Sequence, residues 1–256
     1  MKFMSALLLA ATSLITVTSY ASENRGDARE QLEPRGFLYG VGIAINQEVY
    51  NGYDRRVVPL PILGYRGERL SILGPFISYD VVQQDGLRLA VQAAPRFQSF
   101  DSSDSDIFVG MDEREFSFDA GLGLKYQRDD WNINVSSMFD AMNKSNGYEL
   151  RSSIGRAFNK GPIFIEPSLS LSYLDANNVN YYYGVAAAEA NAFRPAYEGK
   201  SAVNSSLGLS ISTPILFGGF TSVNLNYTWN DSSISESPLV LRDTSFSLML
   251  IYSRFF

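Results

Sequence analysis

Residues 244–256 run T-S-F-S-L-M-L-I-Y-S-R-F-F and change polarity on alternate positions. Phe246, Leu248, Leu250, Tyr252, Arg254 and Phe256 share one parity, and Ser245, Ser247 and Ser253 fall on the other. A period of two is the mark of a strand with two different faces. The apolar face is aromatic at its ends and aliphatic in the middle, which suits a strand crossing a thin bilayer.

The same alternation recurs upstream. Phe37, Tyr39, Val41, Ile43 and Ile45 alternate with Gly40, Gly42, Ala44 and Asn46; Leu87, Leu89, Val91 and Ala93 alternate with Arg88, Gln92 and Arg96. Phe118, Ala120, Leu122, Leu124 and Tyr126 oppose Asp119, Gly121, Gly123 and Lys125. Further runs begin at Trp131, Tyr148, Ile163, Val203 and Val223, each with Ser, Asn, Gly or charges on its second face. Residues 57–82 are broken by Pro59, Pro61, Gly64, Gly67, Gly74 and Pro75, and the period changes phase at Gly74-Pro75, which predicts a bulge or a turn there. Connections alternate in length. Those near residues 128–130, 159–161 and 214–219 are short, whereas 175–200 and 230–243 are long. Outer-membrane barrels have short periplasmic turns and long external loops, and a secreted soluble sandwich has no reason to segregate its loops this way.

The N-terminus supplies the compartment. Lys2, an apolar run over residues 4–15 and Ser19-Tyr20-Ala21 form a secretory signal with expected cleavage after Ala21. Residues 22–35 are polar and read as a periplasmic lead-in, and 36–256 as the barrel. No later stretch is long and apolar enough for a membrane helix, so a membrane location requires a barrel. With both termini periplasmic the strand number is even. Three strands in 57–82 give twelve; ten follow if part of that region is loop. The expected architecture is an all-β, antiparallel up-and-down transmembrane barrel in the outer membrane of a Gram-negative cell.

Composition then removes function classes. The formal net charge is −6, against a nucleic-acid partner, which needs a basic face. Cysteine and histidine are both absent. No disulfide forms, no Ser-His or Asp-His hydrolytic site can be built, and the usual nitrogen ligands for zinc or copper are missing. The carboxylates Glu115 and Asp119 do not by themselves make an acid–base pair, so the reading is a protein that is not an enzyme, with no cofactor and no resident metal.

Three groups of residues invite a role. Tyr181-Tyr182-Tyr183-Gly184, followed by Glu189 and Tyr197, sits in the longest loop; an extended Tyr trio would alternate in direction, either ordering the loop by aromatic packing or presenting a partner patch. Asp101, Asp104, Asp106 and Asp112 form an acidic loop that is either solvated or holds a divalent cation. Arg88, Arg96, Glu115, Asp119, Lys125, Glu149, Arg151 and Glu166 fall on the lumen parity, where they either pair and plug the interior or line a narrow channel.

The ordered series Tyr181-Tyr182-Tyr183-Gly184-Val185, Glu189-Ala190, Arg194-Pro195, Tyr197 and Ser237-Pro238-Leu239-Val240, preceded by 58–61 and 110–114 and closed by Phe256, resembles the MipA/OmpV family of outer-membrane proteins. The resemblance spans essentially the whole mature chain. Arg254 departs from the apolar residue common near barrel C-termini, but at the interface it can snorkel to phosphates. The resemblance implies a non-enzymatic scaffold between a murein-degrading lytic transglycosylase and a murein-synthesising penicillin-binding protein. Tyr181, Tyr182, Tyr183, Gly184, Glu189, Tyr197, Ser237 and Pro238 would form the interaction loops, and Phe256 the assembly signal read by the barrel-assembly machinery. Lipid and lipopolysaccharide would surround the wall. The alternatives are a narrow pore for small solutes and surface recognition through the acidic and Tyr-rich loops.

Overall fold

The computed structural model describes residues 35–256; the expected signal peptide and nearly all of the lead-in lie outside them. The strands are β1 (Gly36–Gln47), β2 (Arg55–Arg66), β3 (Leu70–Leu73), β4 (Phe76–Gln84), β5 (Leu87–Arg96), β6 (Ser117–Arg128) and β7 (Trp131–Asp140). Then come β8 (Tyr148–Arg156, resuming as Phe158–Lys160), β9 (Ile163–Leu174), β10 (Ala202–Thr213), β11 (Phe220–Trp229) and β12 (Thr244–Phe255). Register passes unchanged from Ser168↔Gly155 to Ile165↔Phe158, so the two pieces of β8 are one strand, with Pro167, which has no N–H, facing the gap.

Every neighbouring pair is antiparallel, and β12 pairs back onto β1 from Phe255↔Leu38 to Phe246↔Gln47. The result is a closed twelve-strand barrel, the larger of the two expected counts. Closure removes the sheet edges that would otherwise expose unpaired backbone groups to lipid. On the lumen side of the β1–β12 seam, a Cβ on Gly40 would collide with the Tyr252 carbonyl oxygen, so the close approach there requires glycine.

Loop length segregates as the alternation predicts. At the end bearing the C-terminus the connections are 67–69, 85–86, 129–130, 161–162 and 214–219. Asp85 (φ 48°) and Gly86 (φ 79°) both take positive φ, as a two-residue hairpin loop needs. At the opposite rim lie 48–54, 97–116, 141–147, 175–201 and 230–243, which makes that rim the external one.

Side-chain parity separates two surfaces. Leu63 is 73% and Val41 66% exposed, and Leu122, Val135, Leu169 and Leu207 are also exposed around the circumference. A continuous apolar belt of this kind is stable only against lipid. Tyr39, Tyr126, Trp131, Phe158 and Tyr252 ring the belt near the turns, and Phe118, Phe139, Tyr148, Tyr173, Tyr227, Trp229 and Phe246 ring it near the rim. The interior parity carries Ser, Asn, Gly and charges on most strands. The exception is a buried apolar patch on the inner wall of β1, β2 and β12: Leu38, Leu60, Ile62 and Ile251, joined by Met249 and Phe97.

The irregular region 57–82 resolves into three strands. Gly74-Pro75 is the turn of the β3–β4 hairpin, closing between Leu73 and Phe76, and a second irregularity is a bulge at Val81 between the pairs Asp80↔Ala90 and Val82↔Leu89. This hairpin stops well short of the external rim. Consequently β2 has ladder partners on that side only at Gly64–Arg66, with Gly74 N–H donating to the Leu63 carbonyl (3.1 Å). Because the Leu63 carbonyl faces this open side, so do the backbone groups of Pro61 and Pro59, two and four residues away. Prolines occupy the positions where an unpaired N–H would otherwise face the bilayer.

Candidate functional site

The external loops do not stand free in solvent. Val49 and Tyr50 from 48–54, Phe100 and Phe108 from 97–116, Val179, Tyr182, Tyr183 and Val185 from 175–201, and Ile234 and Leu239 from 230–243 form one buried cluster. These loops are anchored at β1/β2, β5/β6, β9/β10 and β11/β12, all round the rim, so contact among them crosses the mouth. The cluster is a cap.

The Tyr trio sits on a helix and not on an extended loop, which corrects the expected alternation of its directions. Helix α1 (Ala176–Tyr183) starts at Asp175, whose side chain accepts from Asn178 N–H (3.1 Å), and ends where Gly184 N–H meets the Asn180 carbonyl (3.0 Å). At helical spacing Tyr182 and Tyr183 both enter the cluster, where Tyr183 stacks on Tyr50 at 5.7 Å. Gln98 donates to the Tyr183 hydroxyl (2.6 Å), and the Tyr50 hydroxyl donates to the Tyr182 carbonyl (3.1 Å). The Tyr182 hydroxyl is buried with no hydrogen-bond partner. Tyr181 is turned outward enough for its hydroxyl to accept from Glu115 N–H (2.9 Å).

Glu189 and Arg114 tie two loops together. Arg114 Nη2 lies 3.0 and 2.9 Å from the two Glu189 carboxylate oxygens, and those oxygens also accept from the N–H groups of Asp112 and Ala186, each at 3.0 Å. Arg114 further donates to the carbonyls of Tyr181 (2.6 Å) and Asp112 (2.7 Å), with its guanidinium over Phe100 and Tyr181. Burial works against the Glu189 charge, but the two amides and Arg114 outweigh it and hold the carboxyl below the usual glutamate range. Arg194, also buried, donates to the Glu189 carbonyl (2.6 Å) and to the carbonyls of Ile107 and Val109. Tyr197 pairs with Val185 by two backbone hydrogen bonds, and its hydroxyl reaches the Ser233 carbonyl (3.1 Å). Ser237 donates to the Tyr183 carbonyl (2.6 Å) and accepts from Leu239 N–H, with Pro238 at the intervening bend. The sequence motifs are therefore brought together, as the interior of the cap.

The acidic loop does not converge. Asp101 accepts from Ser103 and Asp104 accepts from Asp101 N–H, and among the described residues no group of three acidic side chains is placed to hold a metal ion. Sequence reading missed Tyr50, Phe100, Phe108 and Arg56, which lie in loops or at a strand end outside the alternating runs.

Beneath the cap, Arg96 Nη2 lies 2.6 Å from Asp119 and 3.2 Å from Glu149, and Glu149 accepts from Arg151 (2.9 Å). Glu166 accepts from Asn132 (2.9 Å). Glu115 is a correction: it precedes β6 and pairs with Lys144 in the cap, away from Asp119. Mutual pairing accounts for part of the interior, but a cavity of about 560 Å³ remains beside Arg96, Asp119, Glu149 and Arg151.

A closed barrel with an apolar belt, two aromatic girdles and a polar lumen defines an outer-membrane β-barrel protein. Residues 39–256 match the family described as MltA-interacting protein MipA, and the chain belongs to that family. It is 25% identical over 214 residues to YiaT of Escherichia coli (strain K12), covering 82% of this chain and 87% of that protein. Outer membrane protein OmpV of Vibrio cholerae is 25% identical over 202 residues (78% and 79%), and the MltA-interacting protein of Escherichia coli (strain K12) 24% over 208 (80% and 84%). Among solved structures, an outer-membrane channel from Pseudomonas putida F1 superposes with a TM-score of 0.47 at 13% identity, covering 93% of this chain and all of that one.

Proposed function

We infer that this protein is a non-enzymatic scaffold of the outer membrane that holds murein-processing enzymes, a lytic transglycosylase and a penicillin-binding protein, at its periplasmic end. The observation that carries this reading is the cap. Ten buried side chains from four of the external loops, joined by Leu174 and Ala202 at strand ends, pack across the external mouth, as a protein facing inward can tolerate and an open solute channel cannot. The relative named for its interaction with MltA supports it. In this reading Tyr182, Tyr183, Gly184, Glu189, Tyr197, Ser237 and Pro238 hold the cap shut, and the short turns present the contact surface. Lipid and lipopolysaccharide surround the belt, and the barrel-assembly machinery reads Phe256 during insertion.

Purified protein is expected to enrich a lytic transglycosylase and a penicillin-binding protein from envelope extracts over an unrelated twelve-strand barrel; equal recovery on both counts against it. The charged cavity favours a second reading, a narrow pore. Planar-bilayer recordings separate the two, because a capped scaffold gives no conductance steps.

A further inference from the structure

The short β3–β4 hairpin leaves an interruption in the hydrogen-bonded wall, bounded by the upper half of β2, the Gly74-Pro75 turn and the top of β5. Its upper border is made by one side chain: Arg56 donates to the carbonyls of Phe97 and Ser99 and to Glu48 (2.8 Å), tying β2 to the start of the β5–β6 loop. Phe97 stands in the gap. It packs on the inner-wall patch of Leu60 and Ile62, lies 6.4 Å from the lumen-side ring of Phe76, and lies 6.1 Å from Phe116, which is exposed. One ring thus touches groups on both sides of the wall.

The 560 Å³ cavity adjoins the gap through Phe76, the ring against which Phe97 packs; Phe97 itself does not line it. Ile77, Ala93 and Pro95, which belong to the lipid-facing parity, contribute to its lining together with Phe76 and Met138; the far side is Arg96, Asp119, Glu149 and Arg151. The side toward β3–β5 thus mixes these apolar groups with Ser71, Ser78 and Gln92, and the charged side carries two cations balanced by two anions. Asp119 is 6% exposed and has one carboxylate oxygen without a partner, as has Arg96 Nε. Buried polar atoms left this way are costly, and a bound group that donates and accepts removes the cost. A cavity of this size takes one small ligand and not a two-chain phospholipid.

We propose that the interruption is a lateral portal, plugged by Phe97, through which a single-chain amphiphile with a zwitterionic head passes from the bilayer into the lumen cavity. The chain lies against Phe76, Ile77 and Met138, and the head meets the Arg96–Asp119–Glu149–Arg151 group. The portal is independent of the scaffold reading, since it requires no murein enzyme and no opening of the cap.

The test uses the full chain in phosphatidylcholine vesicles, with Trp131→Phe, Trp229→Phe and Met138→Trp, so that one tryptophan reports from the cavity. Lysophosphatidylethanolamine with a brominated chain, whose ammonium donates and whose phosphate accepts, is the probe, and heat-modifiable migration verifies folding of every variant. The lysolipid is expected to quench the reporter, severalfold more strongly with Phe97→Ala than with Phe97→Leu, and vesicles of brominated two-chain phosphatidylcholine to quench it far less. Asp119→Asn combined with Arg96→Gln is expected to lower lysolipid quenching severalfold. Unchanged emission in the Phe97 and Phe97→Ala proteins alike overturns the portal. Equal quenching by one-chain and two-chain lipid overturns the assigned ligand class.

Discussion

Replacing Glu189 by alanine removes the acceptor that joins the two longest loops of the cap. Four hydrogen bonds go at once, two from Arg114 Nη2 and one each from the Asp112 and Ala186 amides. Arg114 stays 8% exposed in the cap without its counter-charge. Removing one partner of a buried ion pair costs about 3–5 kcal/mol. Arg114 keeps two carbonyl acceptors and two aromatic faces, so the lower figure applies. At about 1.4 kcal/mol per factor of ten, the open cap becomes roughly a hundredfold more populated. Hydrogen exchange followed by mass spectrometry reads this directly, because amides that exchange through local opening report its free energy. Peptides over 110–116 and 184–190 are expected to lose about two orders of magnitude of protection. Peptides from β1 and β12 are expected to be unchanged, since the seam lies elsewhere. A loss in the cap of less than about tenfold refutes the claim that this pair holds the loops together.

The same carboxylate makes the cap sensitive to acid. Its folded value lies below the unfolded one, so the stabilisation is complete above an ordinary glutamate pKa of about 4.3 and is lost as pH falls through the folded value. Cap protection is expected to drop below about pH 4 in the native protein and to lack that step in Glu189→Gln, as exchange measured across pH will show. The two buried tyrosines should part company. Tyr183→Phe forfeits the Gln98 hydrogen bond at a cost of about 1 kcal/mol, whereas Tyr182→Phe is neutral or stabilising because its hydroxyl has no partner, a difference measurable as cap protection. Deleting Phe256, whose N–H donates to Phe37 (3.1 Å) and whose ring lies 5.0 Å from Tyr39, is expected to reduce folded, heat-modifiable protein in the outer-membrane fraction; normal yield refutes its assembly role.

The strands were legible because a barrel wall repeats one physical constraint at every position. Alternate residues face lipid and lumen, so the parity of Phe246, Leu248 and Leu250 in β12, or of Leu122 and Leu124 in β6, needs only the neighbours in the chain to be read. Even the broken region 57–82 announced its turn by the phase change at Gly74-Pro75. Helix α1 was missed although Asp175 is a good N-cap, because eight residues rich in Asn and Tyr carry little helical signal, and what stabilises them is burial against Tyr50 and Phe108 from other loops. Glu115 was misplaced for a related reason: parity continues in the sequence past the residue at which the strand ends.

The sequence by itself determined a membrane barrel, its lipid-facing set and the end at which its long loops gather, since all of these follow from local alternation and connection length. The tertiary structure decided what the loops do. Arg114 finds Glu189 across 75 residues, Tyr50 finds Tyr182 across 132, and Arg56 reaches the carbonyl of Phe97 across 41. Such contacts depend on which strands closure brings beside one another, and no local pattern records that. The cap and the interrupted wall are products of closure, which sets these loops and strands beside one another.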